Sequence, residues 1–161
     1  MSVSRIPHRT SLITIPLELP RYKTGETTTT DFSAVIYRDL NLVDFVLHRG
    51  YIRALKGWIY ALFGLKTSDP AVPAEGYIYY RIPRPNGYVD GNTPTRSSSN
   101  STDYDRFTEI IELDQEALDV INNMQRGYVR ADLKYRTTGS ATAYAIYYAT
   151  FLVLLVEMLG T

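Results

Sequence analysis

The C-terminal stretch of the chain, residues 126–161, decides the expected fold and reads RGYVRADLKYRTTGSATAYAIYYATFLVLLVEMLGT. Its first part alternates polar and apolar residues, as a strand does when one of its faces is solvated. Its second part is almost wholly apolar and rich in β-branched and aromatic residues, which favours a buried strand. We therefore predict that the protein packs its core around this stretch.

The two parts of this stretch are separated by Thr138-Gly139, which is a plausible turn. A turn there aligns the apolar faces of the flanking strands, so the pattern predicts a β-hairpin. The second strand, residues 141–159, is longer than its partner. We expect its end, residues 152–159, to bend into a second sheet or to cross to a neighbouring subunit.

Two other interpretations of the terminal segment are open. Residues 137–156 carry no charge, and twenty such residues are enough for a membrane-spanning helix. The strongly apolar part is shorter than that, which also allows a helix buried in the protein core. The strand-like composition favours the strand.

Length and composition indicate a globular protein. The chain has 161 residues, of which 45% are hydrophobic, and we expect a single domain over residues 1–161. The formal net charge is zero, which provides no general attraction to nucleic acid. No cysteine is present, which excludes disulfides and thiol catalysis. The first residues lack the apolar run of a secretory signal.

The rest of the chain contains several period-two patterns and one set of helix-capping signals. Four patterns predict strands, over residues 11–19, 31–37, 76–82 and 107–113. Pro16 makes the first of them an edge strand or an interrupted one. Asp114 is a cap residue for a short helix, residues 115–124.

Three further segments complete the expected organisation. Residues 1–10 form a polar arm, and residues 84–106 form a long exposed loop rich in Asn, Gly and Ser. Residues 40–63 carry apolar residues at spacings of three and four, which predicts an amphipathic helix. Two shorter helices broken near Gly50, or a β-hairpin turning at residues 48–50, are the alternatives there.

The expected fold class is therefore mainly β. It is a β-sandwich or jelly-roll-like arrangement with one central amphipathic helical segment and one short helix. An α+β fold is the alternative.

Residues suited to catalysis are scarce in the sequence. Only His8 and His48 could supply an imidazole base or metal ligand, and His48 lies among basic residues that would repel a metal cation. Phosphate-binding glycine motifs and nucleophile elbows are missing. We expect no enzymatic activity, no cofactor and no metal site.

Three sets of residues are candidates for binding. The terminal apolar residues are interface candidates: Leu152, Val153, Leu154, Leu155, Val156, Met158 and Leu159. A basic face on the expected central helix could meet nucleic acid or another anionic surface: His48, Arg49, Arg53 and Lys56. An aromatic platform could hold a glycan or another ligand: Tyr77, Tyr79, Tyr80 and Tyr88.

The function expected from these features is that of a non-enzymatic structural subunit. It would assemble with its own copies or decorate a larger particle, as a virion capsid, decoration or tail-type protein or a surface filament protein. The 13 Arg, against 4 Lys, and the 14 Tyr support this expectation, because both residue types favour protein interfaces. The expected location is a virion or extracellular assembly, and otherwise the cytoplasm. A glycan- or ligand-binding module and a membrane-associated protein are the alternatives.

Overall fold

The computed structural model describes residues 6–17, 22–41, 52–123 and 127–159 of the chain. These residues form eleven strands and one helix. In chain order the elements are β1 (Ile6–Pro16), β2 (Lys23–Thr27), β3 (Ala34–Ile36), β4 (Asp39–Asn41), β5 (Ile52–Thr67), β6 (Ala74–Arg84), β7 (Gly87–Asn92), β8 (Arg96–Ser98), β9 (Asp105–Glu112), α1 (Gln115–Asn122), β10 (Tyr128–Thr137) and β11 (Ala143–Leu159).

The described strands form two antiparallel sheets. In the five-stranded sheet, β11 pairs with β5 on one edge and with β1 and then β2 on the other, and β9 pairs with the far edge of β5. In the six-stranded sheet, β10 pairs with β6 on one edge and with β3 and β4 on the other, while β7 and β8 pair with the far edge of β6. The predicted mainly β, sandwich-like fold is confirmed.

One hydrophobic core lies between the two sheets. The five-stranded sheet contributes inward-facing residues that include Ile59, Phe63 and Phe151, and the six-stranded sheet contributes Ile78 and Leu133. All five are at most 2% exposed. The core thus forms because each sheet buries one face against the other.

The predicted hairpin between residues 126–136 and the terminal strand is wrong. β10 and β11 follow each other in the chain but belong to different sheets, and the connection over residues 138–142 crosses from one sheet to the other. Two strands with one apolar face each can satisfy that pattern by pairing side by side or by facing each other across a core. Local alternation does not distinguish these two arrangements.

The terminal segment itself is a strand, as predicted, and not a helix. β11 is 17 residues long; residues 152–159 pair with β1 on one edge, and residues 152–157 pair with β5 on the other. The expectation that this end bends into a second sheet or crosses to another subunit is therefore wrong. Within the described ranges, no helix has the length and apolar character needed to cross a bilayer.

The predicted central helix is also wrong over its described part. Residues 52–67 form β5, which lies between β11 and β9 in the five-stranded sheet. The inward residues of β5 are buried in the core, and its outward residues are also largely apolar, so no clean period of two is visible. The turn of the alternative hairpin, residues 48–50, lies outside the described residues, and the described β4 and β5 belong to different sheets. Residues 42–51 lie outside the described residues.

The expected polar arm and exposed loop both contain strands. Residues 6–10 belong to β1, and residues 1–5 lie outside the described part of the chain. The segment over residues 84–106 contains β7 and β8, which pair with β6. As Pro16 predicted, β1 is an edge strand, and it ends at this proline.

The short helix α1 is present where its capping signals predict it. The Asp114 carboxylate accepts a hydrogen bond from the backbone N–H of Ala117 at 3.0 Å, which satisfies one of the helix's unpaired donors. Leu118 and Ile121 are buried, as the helical spacing predicts. Arg84 binds the second carboxylate oxygen of Asp114 at 2.6 Å and so joins the helix to β6.

A close contact in the core makes Gly57 sensitive to substitution. A Cβ atom at Gly57 would lie 2.6 Å from Cζ of Phe151, which is packed in the core. We expect Gly57→Ala to lower the free energy of unfolding by about 1–3 kcal/mol through overpacking, measured by urea unfolding. The double variant Gly57→Ala/Phe151→Leu should lose less than the sum of the single changes. Strict additivity would contradict this contact.

Candidate binding faces

The outer face of the five-stranded sheet is largely apolar. Nine apolar or aromatic side chains lie next to one another on it, across β1, β11, β5 and β9; they are defined here as the apolar face: Leu12, Trp58, Tyr60, Leu62, Ile110, Ile146, Tyr148, Leu152 and Leu154. Leu12 is 62% exposed and Ile110 is 60% exposed. An antiparallel sheet that faces solvent normally presents polar residues on that face, and contiguous exposed apolar patches are typical of interaction surfaces.

Charged residues lie at the ends of the apolar face. At one end Lys56 forms an ion pair with Glu112 at 3.3 Å. At the other end the Lys66 ammonium lies 5.0 Å from the ring centre of Tyr104 and 5.1 Å from that of Tyr144. An apolar centre with a charged and aromatic rim is the usual composition of a protein–protein interface.

The size of the apolar face is in the range of a functional patch. Eight residue steps along β11 and four strands side by side make it roughly 26 Å long and 15–20 Å wide, or about 400–500 Å². The largest apolar patch of a typical monomer covers about 300–600 Å², and a standard interface buries about 800 Å² on each partner. The apolar face together with its rim therefore approaches the size of a standard interface.

A small apolar pit opens beside the apolar face. It has a volume of about 40 Å³ and is lined by Tyr22, Leu62, Phe63, Arg106, Phe107 and Ile146. The Tyr22 ring lies 5.7 Å from that of Tyr148 and closes one side of this region.

Some of the interface candidates on the terminal strand lie on the apolar face, and others lie in the core. Leu152 and Leu154 lie half-buried on the apolar face. Val153 is fully buried in the core and Val156 is 3% exposed, so neither is available to a partner. Leu155 packs against the core. The backbones of Met158 and Leu159 pair with β1.

The predicted basic face is not a helical face over its described part. Arg53 and Lys56 are both exposed on β5, where Leu55 is the extra residue of a β-bulge opposite Leu154 and Leu155. His48 and Arg49 lie outside the described residues. An anion-binding role for this set stays a prediction.

The outer face of the six-stranded sheet contains aromatic and charged residues. Three of the four platform candidates, Tyr77, Tyr79 and Tyr88, lie on it. Tyr80 points the other way and packs against the core, where its ring covers Gly91 so closely that a Cβ atom there would clash with it. The period of the strand separates them, because consecutive residues such as Tyr79 and Tyr80 point to opposite faces of a sheet.

Two arginines that sequence reasoning missed lie at the centre of this face. Four charged residues lie side by side on neighbouring strands and are defined here as the charged row: Asp39 on β4, Arg130 on β10, Arg81 on β6 and Asp90 on β7. Arg81 donates from Nε to Asp90 at 2.8 Å and from Nη2 to the other carboxylate oxygen at 3.1 Å. The sequence pattern that could have drawn attention to Arg130 is its alternation with Tyr128 along the solvated side of β10.

Hydrogen bonds connect the charged row to tyrosines on either side. Arg130 Nη2 donates to the hydroxyl of Tyr128 at 2.6 Å, and this hydroxyl donates to Asp39 at 2.6 Å. Arg81 Nη2 donates to the hydroxyl of Tyr79 at 3.2 Å. The hydrogen bond from Arg81 lowers the pKa of the Asp90 carboxyl, so both members of that pair keep their charge at neutral pH.

A largely buried polar cluster connects the charged row to the core between the sheets. Arg38 is fully buried, and its guanidinium carbon lies 6.0 Å from the ring centre of Tyr147. The Asp132 carboxylate is nearly buried and accepts a hydrogen bond from the backbone N–H of Arg38 at 3.0 Å. Tyr147 donates to the carbonyl of Ala131 at 2.7 Å, which joins the two sheets. The cluster stabilises the packing of the sheets and has no opening to a ligand.

Acidic and imidazole side chains do not gather into a metal site in the described part of the chain. Over residues 6–17, 22–41, 52–123 and 127–159, no three His, Asp or Glu side chains converge as metal coordination would require.

The fold defines the chain as an antiparallel β-sandwich protein. No family model matches the chain, and no curated protein sequence matches it. Among solved structures it is similar to that of the infectious bursal disease virus Gx strain, with 8% identity and a TM-score of 0.44 over 94% of this chain and 42% of that one. It is also similar to the T13 particle of that virus, with 7% identity and a TM-score of 0.47 over 94% of this chain and 39% of that one.

A further similarity is to the CBM22-1 xylan-binding domain of Paenibacillus barcinonensis Xyn10C, with 10% identity and a TM-score of 0.40 over 88% of this chain and 93% of that one. The chain spans about two fifths of the length of the two viral structures. At identities of 7–10% and TM-scores below 0.5, these similarities assign no function to the chain.

Proposed function

We propose that the protein is a non-enzymatic structural subunit that assembles with further copies of itself through the apolar face. The observation that carries this proposal is the exposure of Leu12 and Ile110 on a sheet face whose centre holds no charged residue. Exposing such a face to water is unfavourable by about 25 cal/mol per Å² of apolar area. Covering it with another protein surface removes that cost.

A second copy of the chain is the partner that the charges favour. The formal net charge is zero, so two copies do not repel each other. A two-fold arrangement would place each apolar face on the other and the charged rims at the edges. Such a dimer would be the building unit of a virion or of an extracellular surface assembly.

Ile110→Lys is the test of this interface. A charge at this exposed apolar position should weaken association by about 2 kcal/mol or more, a factor of about 30 in Kd. Sedimentation equilibrium should therefore show an assembly for the wild type and a larger fraction of 18.3 kDa monomer for the variant. At a dilution where both proteins are monomeric, thermal unfolding of the variant should stay close to that of the wild type, because the side chain is exposed.

Val89→Lys is the matched control, since Val89 is a β-branched residue that is 43% exposed on the other sheet. It should leave assembly unchanged. A wild-type chain that sediments as a monomer at ~1 mM would overturn the proposal, because association worth even about 4 kcal/mol is half complete at that concentration.

A further inference from the structure

The outer face of the six-stranded sheet carries an aromatic surface beside the charged row. Tyr88 pairs with Pro83 across β6 and β7, and its ring meets that of Tyr128 edge-on with 6.1 Å between centroids. The guanidinium of Arg81 lies 5.6 Å from the ring centre of Tyr88, and that of Arg130 lies 5.4 Å from the ring centre of Tyr128. Tyr88 is nevertheless 40% exposed. An apolar ring surface therefore lies directly next to a line of hydrogen-bonding groups.

The charged row has two donor groups at its centre and one acceptor group at each end. Each of its arginines is paired with an aspartate at the outer end of the row: Arg130 with Asp39, and Arg81 with Asp90. A carboxylate accepts hydrogen bonds and a guanidinium donates them. Neighbouring hydroxyl groups on a sugar ring both donate and accept, so such a row can bind several of them at once.

The charges of the row select against an ionic ligand. Arg81, Arg130 and the neighbouring Lys134 are balanced by Asp39, Asp90 and the neighbouring Asp132, so neither an anion nor a cation meets an excess of opposite charge. The ligand that fits is neutral, rich in hydroxyl groups and apolar on one face. A neutral sugar has this combination, because its C–H groups pack on an aromatic ring while its hydroxyls point sideways.

The hydrogen bonds within the face also hold these side chains in place before a ligand arrives. Arg81 is fixed by both oxygens of Asp90 and by Tyr79, and Tyr128 is fixed between Arg130 and Asp39. Binding then orders few additional side-chain torsions, which lowers its entropic cost.

We propose that the outer face of the six-stranded sheet binds a neutral glycan chain, with the rings of Tyr88 and Tyr128 packing against sugar and the charged row binding its hydroxyls. This site lies on the opposite sheet from the apolar face. It is therefore independent of the assembly interface and remains available after assembly through that interface.

Affinity electrophoresis tests the site on the full chain. Native gels contain one of three neutral polysaccharides (hydroxyethylcellulose, galactomannan or dextran) or the polyanion heparin. We expect at least one neutral polymer to retard the wild type and heparin not to do so. Tyr88→Ala should weaken this binding roughly tenfold, and Asp90→Asn should weaken it less, because the amide retains one acceptor oxygen.

Tyr22→Ala is the matched control, since it removes a tyrosine that is 48% exposed and lies against Tyr148, on the opposite side of the sandwich from the charged row. It should bind like the wild type, and all variants should keep the thermal unfolding midpoint of the wild type. The proposal is overturned by a wild type that no neutral polymer retards, by retardation in heparin alone, or by a folded Tyr88→Ala variant with unchanged affinity.

Discussion

Tyr147→Ala should lower the free energy of unfolding by about 3–5 kcal/mol, the largest effect expected of any substitution considered for this chain. Tyr147 is fully buried on the inner side of β11, and its hydroxyl donates to the carbonyl of Ala131 on β10 at 2.7 Å. The alanine variant would lose both a large buried ring and a hydrogen bond between the sheets. Urea unfolding followed by fluorescence measures the change.

Tyr147→Phe separates these two contributions. The ring stays in the core, so only the hydrogen bond is lost, and the expected cost is about 1–2 kcal/mol. Burial also raises the pKa of the Tyr147 phenol well above its ordinary value, so the hydroxyl remains a donor throughout the neutral range. If Tyr147→Ala and Tyr147→Phe lost equal stability, the ring would contribute nothing, contrary to its complete burial.

Asp132→Ala should lower the free energy of unfolding by about 2–3 kcal/mol. The substitution leaves the backbone N–H of Arg38 without the acceptor it binds at 3.0 Å. It also removes the carboxylate that lies 3.8 Å from Nε of Arg130. This loss of stability should be smaller than that of breaking a fully buried ion pair, because Arg130 is partly exposed and its contact with Asp132 is long. Denaturant unfolding at pH 7 measures it.

Asp132→Asn tests the charge at this position separately from the hydrogen bond. Burial raises the pKa of the Asp132 carboxyl above its ordinary value of 3.8. The folded state therefore binds a proton more tightly than the unfolded state does. The stability that this protonation provides is complete below pH 3.8, and it is lost as the pH rises through the raised pKa of the folded state.

The asparagine variant lacks this pH-dependent contribution. Its stability relative to the wild type should therefore increase as the pH rises from below 3.8 towards neutrality. Urea unfolding of both proteins across this range measures the difference. A difference that stays constant with pH would show that the carboxyl of Asp132 titrates equally in the folded and unfolded states.

Much of the local structure could be predicted from the sequence. The capping signals around Asp114 located the short helix, because a helix terminus is defined by residues within one turn. The composition of residues 143–156 indicated a strand, and Pro16 indicated a sheet edge. These signals depend on neighbouring residues only.

The prediction of β5 as a helix failed for a physical reason. Residues such as Trp58 and Tyr60 face outwards on the apolar face, while Ile59 and Phe63 face the core. A strand that is apolar on both sides has no alternation, and by chance its spacing resembles that of a helix. The exposed apolar face that produced this error is also the face proposed for assembly.

The candidate sites were predictable in part. The sequence supplied the tyrosines of the platform, and the strand period then divided them between two faces. It did not supply Arg81 and Arg130 as neighbours, because β6 and β10 are about 50 residues apart and only their pairing brings these side chains together.

By itself, the sequence determined that this protein is mainly β, that its terminal apolar segment is a strand at the centre of the structure, and that catalytic groups are scarce. Only the tertiary structure decided that β10 and β11 face each other across the core, and that β1 and β5 cover the end of β11. The reason is that alternation specifies which side of a strand is buried, whereas the partner of each strand depends on contacts between distant parts of the chain.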